Sequence, residues 1–180
     1  MADAGFPGHA HDAFDRIEEQ FNTALDDSLN PAGPDVLYDC VAQMKLPAGA
    51  VAIDVGSGQG RQAVELSRRF GLLVTGIDPF PQRAEAIGEH ARPGDAVSFL
   101  AGTAEDLPVP SGSADLVWCR DVLSLVEDLG RVYREFRRVL KPGGRAVIYQ
   151  TFATSRLEPG EAAFLLPVMG CSAACASTAA

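Results

Sequence analysis

Two periodicities organise the apolar positions of this chain. Short runs of mainly aliphatic residues occur near residues 50 to 55, 72 to 77, 97 to 101, 115 to 119 and 145 to 151. Runs of this length with little polar alternation predict strands buried on both faces. Between them, near residues 60 to 70, 81 to 91 and 128 to 140, apolar residues recur every three or four positions and predict amphipathic helices. In the last of these Leu129, Val132, Phe136, Val139 and Leu140 share one face, while Arg131, Arg134 and Arg138 line another that reads as solvated. Lys141, Pro142, Gly143 and Gly144 stop that helix and turn the chain into the fifth strand. Strand and helix in alternation imply an α/β fold: a doubly wound, mainly parallel sheet of about five strands with flanking helices.

Ligands of such sheets lie beyond the carboxyl ends of the strands, so residues at those ends are the ones to read for chemistry. The first run carries Asp54 and ends in a turn containing Gly56, Ser57, Gly58 and Gly60. Glycines at alternate positions free the backbone for positive φ and remove the Cβ atoms that keep a ligand off the main chain. A dinucleotide fingerprint needs G-x-G-x-x-G, and Arg61 stands where its third glycine belongs, which disfavours a pyrophosphate ligand. Asp54, two places before the first glycine, is placed either to receive a cationic amino group or to hold the turn. The second run ends in Asp78, twenty positions beyond Gly58, where a carboxylate suits the two hydroxyls of a ribose. Because Pro79 and Pro81 follow, Asp78 also reads as a helix N-cap. The third run leads into Gly102, Thr103, Ala104, Glu105, Asp106, Leu107 and Pro108, and the fourth ends at Cys119, Arg120 and Asp121.

The segment from Val51 to Arg61 resembles the first motif of class I methyltransferases that use S-adenosylmethionine, hydrophobic-D-x-G-x-G-x-G. Residues 102 to 108 resemble the G-D-A-E-x-L-P segment of the ubiquinone and menaquinone methyltransferase group, and E-F-R-R-V-L-K-P-G-G, from Glu135 to Gly144, is similar to a signature of the same family. The resemblance covers Val51 to Thr151 and implies a Rossmann-like core that binds S-adenosylmethionine and methylates a small molecule. It implies cofactor contacts from Asp54, Gly56, Ser57, Gly58 and Gly60. It also implies Asp78 and Pro79 at the ribose, Phe80 on the adenine face, and Thr103, Ala104 and Glu105 near the adenine edge. Cys119 and Arg120 then lie beside the methionine part, in the family often through a main-chain carbonyl. Phe80 also reads as ordinary core, and Glu105 and Asp106 as a solvated turn.

Three departures stand out. Thr103 replaces the usual aspartate, Leu125 stands where family members carry a histidine near the substrate, and no pattern for the C-terminal strand pair follows the fifth strand. Asp121 is then the candidate base, needed only for acceptors that must lose a proton, although it also reads as a cap of the following helix. His9 and His11 are further candidates if the N-terminal segment folds over the site.

Length and charge narrow the picture. With 180 residues, 47% of them hydrophobic, the chain divides into a helical cap (1–48), a cofactor-binding core (49–152) and a short C-terminal segment with a small-residue tail (153–180). Helices are expected over 12–25 and 34–44, and a short helix or lid over 161–169. A net charge of −9 argues against nucleic acid as partner. Without a membrane-length apolar run or a leader pattern, the expectation is a soluble cytoplasmic protein. Cysteines 40, 119, 171 and 175 are scattered, and no metal is expected. An unpaired fifth strand invites pairing, so a homodimer is one expectation. Three readings follow: a small-molecule methyltransferase; a protein that binds the same cofactor without methylating; and an NAD-dependent oxidoreductase.

Overall fold

The computed structural model describes residues 23, 26, 33, 35–80 and 94–151. The chain divides into two compact units, one formed by Leu37–Gln150 and the other by Met1–Val36 with Thr151–Ala180. Its elements are α1 (Asp35–Met44), β1 (Val51–Val55), α2 (Arg61–Phe70), β2 (Leu73–Asp78), β3 (Val97–Ala101), β4 (Ala114–Arg120), α3 (Leu129–Val139) and β5 (Leu140–Tyr149). The helices expected over 81–91 and 161–169 lie outside the described residues, as does that over 12–25 apart from Thr23, which is helical.

The five strands form one sheet in the order β3-β2-β1-β4-β5, and all four ladders are parallel. This is the Rossmann-like, doubly wound sheet that the alternating pattern predicts. The chain steps outward from β1 through β2 to β3, then returns to β4 on the other side of β1. The strand order therefore reverses between β1 and β4, where such sheets bind ligands.

Burial on both faces explains the near-continuous apolar runs. On one face Ala52, Val74, Leu116, Trp118 and Val147 pack with Tyr38 and Val41 of α1 and with Ala63 and Leu66 of α2. On the other, Ile53, Val55, Ile77, Val117 and Cys119 pack with Val132, Phe136 and Val139 of α3. Each large aliphatic side chain so buried contributes about 1.5–3 kcal/mol.

Local chemistry sets where the helices start and stop. Gly71 (φ 64°) closes α2 in the left-handed conformation, its N–H donating to Ser67 O. Asp128 caps α3 by accepting from Arg131 N at 2.9 Å. The predicted turn of Lys141, Pro142, Gly143 and Gly144 takes a different form. β5 begins at Leu140, directly after α3, and these four residues bulge out of the ladder, since Ala114 pairs with Leu140 and Leu116 with Arg145. Lys141 Nζ reaches Asp115 Oδ2 at 2.6 Å, and the same oxygen accepts from Val51 N at 2.9 Å. One carboxylate thus ties the starts of β1 and β4 to the bulge, and Lys141 holds it below the usual carboxylate range.

Gly76, in the middle of β2, is required by packing. A Cβ there would lie 2.5 Å from Phe99 Cδ1 and 2.8 Å from Ser57 Cβ. Gly76→Ala is expected to destabilise the protein by about 1–3 kcal/mol, the range for overpacking a tight core, as measured by urea denaturation.

Candidate active site

The turn after β1 holds Gly56, Gly58 and Gly60 at φ 71°, 50° and 75°, left-handed values at which a side chain is strained. Its amides point inward. Gly56 N and Ser57 N donate to Ile77 O at 2.8 and 3.2 Å, and Gly60 N donates to Ser57 O at 2.7 Å. Gly58 N donates to Asp78 Oδ2 at 3.0 Å. A phosphate nest needs such amides for its anion, so these bonds agree with the spacing argument against a pyrophosphate. At Gly56 the space left by the missing Cβ is filled by the protein, because a Cβ there would sit 2.2 Å from Val122 Cγ2. That glycine makes room for the segment after β4.

Asp78 is buried at the end of β2, with its carboxylate turned toward the glycine turn. Besides the bond from Gly58, its Oδ1 accepts from Phe80 N at 2.9 Å. An ionised carboxylate offers roughly four acceptor positions, so each oxygen keeps capacity for a hydroxyl donor. The bond to Phe80 joins residues two apart, as in an Asx turn, and the helix that Asp78 would cap lies outside the described residues.

Asp54 is 2% exposed and stands in register between Gly76 and Trp118. It accepts from Ala63 N at the start of α2. Its Oδ2 is buried and accepts no hydrogen bond among the described residues; the Nε1 of Trp118 is in the same condition. Burial first, and then the charge of Asp78, push the Asp54 carboxyl up to about 7. In-register residues of neighbouring parallel strands project to the same face, so an orphan acceptor and an orphan donor share one side of the sheet. Trp118 stacks on Tyr38 with ring centroids 5.2 Å apart, and the Arg69 guanidinium lies 4.2 Å from the Tyr38 centroid. Burial, followed by Glu65, raises the Tyr38 phenol to about 12, which keeps it neutral.

Strand β4 delivers Cys119 and Arg120 to opposite faces. Cys119 is packed in the α3-side core, and burial, then Asp54 and Asp121, push its thiol up to about 12. Its main chain is paired in register with Val55 of β1 and Ile148 of β5. Asp121 does not begin a helix, because α3 starts eight residues later behind its own cap, Asp128. Instead Asp121 takes a left-handed φ of 55°, donates its N–H to Tyr149 O at 2.7 Å, and accepts from Gln150 Nε2 at 3.0 Å. The Oε1 of Gln150 accepts from Leu123 N at 2.8 Å. A single amide side chain just past β5 therefore shapes the segment after β4. No local pattern marks Gln150 in the sequence, since its partners lie 27 and 29 positions away.

After β3, Gly102 N donates to Asp78 O at 3.2 Å, and Asp106 N to Thr103 O at 3.1 Å, which closes a tight turn around buried Ala104. Glu105 is more than a solvated turn residue, for its Oε1 accepts from Glu127 N at 3.0 Å. Leu107 N donates to Glu135 Oε2 at 2.9 Å. The expectation of a solvated arginine face fails for Arg138, which is bound to Glu135 and to Leu107 O and Val109 O. Asp54, the glycine turn, Asp78, Pro79, Phe80, Thr103, Ala104, Glu105, Cys119 and Arg120 are all carried at or just past the carboxyl-terminal halves of β1 to β4. His9 and His11 fall outside the described residues.

The Asp54 carboxyl generates a pH prediction. Its folded pKa is raised, so the native state binds this proton more tightly than the unfolded chain does. Its stabilisation is full below the ordinary aspartate pKa and is lost as pH rises to about 7. Compared with Asp54→Asn, the wild type is expected to lose stability between those values at a slope of up to about 1.4 kcal/mol per pH unit, read from urea denaturation across pH.

A family model described as a methyltransferase domain matches residues 53–148. The chain is 34% identical over 116 residues to the 27-O-demethylrifamycin SV methyltransferase of Amycolatopsis mediterranei, a match covering 62% of this chain and 43% of that protein. It is 34% identical over 145 residues to the ubiquinone biosynthesis O-methyltransferase of Xanthomonas axonopodis pv. citri, covering 79% and 56%. Among solved structures, the 4+2 cyclase SpnF matches with a TM-score of 0.59 and 32% identity over 72% of this chain and 48% of that one. The chain thus spans about half the length of the curated relatives it matches. With over half of its residues matched by the family model, the chain belongs to the methyltransferase domain family.

Proposed function

We propose that the chain binds S-adenosylmethionine across the ends of β1, β2 and β4 and transfers its methyl group to a small-molecule acceptor. The observation that carries this reading is the Asp78 carboxylate, held against the Gly58 amide with acceptor capacity to spare for a diol. Family membership and relatives named as rifamycin and ubiquinone O-methyltransferases support it.

In this reading Asp78 with Pro79 holds the ribose, Phe80 covers the adenine, and Thr103, Ala104 and Glu105 form the wall at the adenine edge. The turn of Gly56, Ser57, Gly58 and Gly60 lies under the adenosyl group. Asp54 faces the cationic amino group, and Cys119 and Arg120 contribute main chain beside the methionine part. The orphan Asp54 oxygen fits this ligand, because a buried acceptor without a donor is relieved by an ammonium. When bound, the sulfonium supplies a methyl group on a good leaving group, and orientation with exclusion of water accounts for much of the acceleration. For an acceptor that must first lose a proton, Asp121 is the candidate base at the end of β4, its position fixed by Gln150.

A second reading, cofactor binding without methylation, is favoured by Leu125 in the place of the family's histidine. A 4+2 cyclase among the structural relatives, a protein named for a reaction other than methyl transfer, supports it as well. An NAD-dependent oxidoreductase is disfavoured by the inward-pointing amides of the glycine turn. We further assign the protein to the cytoplasm, and a second copy to the outer edge of β5; a monomer in analytical ultracentrifugation would remove the latter.

S-Adenosylhomocysteine is expected to raise the melting temperature, and NAD to leave it unchanged. Asp78→Ala is expected to weaken adenosyl binding at least about tenfold by calorimetry, the loss of one charge-assisted bond or more. Because a cation favours ionised Asp54, affinity is expected to rise as pH passes upward through about 7 and to become flat in Asp54→Asn. Turnover of S-adenosylmethionine with phenolic acceptors separates the first reading from the second.

A further inference from the structure

Helix α3 carries a polar device that neither the core nor the proposed chemistry uses directly. Arg138 and Glu135, one turn apart, are joined by two bonds, Nε to Oε1 at 2.7 Å and Nη2 to Oε2 at 2.6 Å. The pair also holds both polar groups of one peptide-forming residue: Leu107 N donates to Glu135 Oε2 at 2.9 Å, and Leu107 O accepts from Arg138 Nη2 at 2.8 Å. Arg138 Nη1 reaches Val109 O at 2.8 Å and Ser111 Oγ at 3.4 Å. The planar guanidinium can make these contacts together because its donors lie in a rigid fork, which a lysine lacks. Each partner keeps the other charged, Glu135 being held below the usual carboxylate range chiefly by Arg138.

The held residue sits at the root of the loop assigned to the adenine edge. Leu107 is 2% exposed and follows directly on the Thr103–Asp106 turn. Upstream the same loop is fastened by Gly102 N to Asp78 O, and Gly102 is packed so tightly on Pro108 that a Cβ would come within 2.6 Å of Pro108 Cδ. Residues 103–106 thus run between two points tied to neighbouring elements, Gly102 and Leu107. Where a base edge is read by backbone groups, discrimination depends on donors and acceptors held to a few tenths of an ångström.

We infer that Glu135 and Arg138 are positioning residues which hold the 103–107 loop so that its backbone distinguishes adenine from other bases. This rests on the function proposed above. Adenine presents an acceptor at N1 and a donor at its exocyclic amine, and hypoxanthine presents the reverse pair. A fixed loop therefore favours the adenosyl ligand through matched hydrogen bonds, and a loosened one loses that advantage.

The test compares the affinities of S-adenosylhomocysteine and S-inosylhomocysteine by calorimetry. The wild type is expected to prefer the adenosyl ligand at least about tenfold, the value of one well-placed hydrogen bond. In Arg138→Lys that preference is expected to collapse through loss of adenosyl affinity alone, with faster amide exchange at Asp106 and Leu107. Asp78→Asn is expected to weaken both ligands alike and leave the ratio intact. Glu135→Gln, which keeps one acceptor for Leu107 N, provides the same readout if Arg138→Lys does not fold. A preference unchanged in the folded variant, or absent from the wild type while both ligands bind, overturns the inference. A wild type that binds neither ligand overturns the proposed function instead.

Discussion

The bond from Gly58 N to the Asp78 carboxylate is the constraint on which the rest of the cleft depends. It joins the turn after β1 to the end of β2, and it requires left-handed backbone at glycines on either side. It also brings a second carboxylate into play. Asp54, one strand away on the same face, is buried beside the charge of Asp78, and its own ionisation is disfavoured as a result. Two buried acids on neighbouring strands cost stability, because each disfavours the charged form of the other.

Around this corner, the ends of the strands are held by residues from distant parts of the chain. Gln150, just past β5, sets the left-handed Asp121 and the amide of Leu123. Val122 occupies the space that Gly56 vacates. Glu127 donates its amide to Glu105 in the loop after β3, and α3 reaches over to Leu107. The segment between β4 and α3 is therefore irregular in backbone but not loosely held. Its lack of helix follows from where its amides bond: to Tyr149 O, to Gln150 and to Glu105.

The same helix does two kinds of work on two sides. Val132, Phe136 and Val139 bury against the sheet, while Glu135 and Arg138, at the margin of that face, carry polar contacts to the neighbouring loop. The apolar side supplies most of the docking energy through area removed from water. The polar side adds direction, because hydrogen bonds are sensitive to angle where apolar contacts are not.

By itself the sequence determined the class of fold, the strand positions and the glycine turn. Buried parallel strands such as 51–55 and 114–120 must be apolar on both faces, and a turn with three left-handed residues must be glycine, so both leave local marks. The placement of Asp78 at the end of β2 was legible for the same reason, as the residue closing an apolar run. Only the tertiary structure decided that Gly56 makes room for Val122, that Arg138 is engaged rather than solvated, and that Lys141 to Gly144 form a bulge. It alone set Asp54 against Trp118 and gave Gln150 its partners. Each of these is a pairing between residues far apart in the chain, and the local pattern records what a residue needs from its neighbours in sequence, not which distant group will meet it.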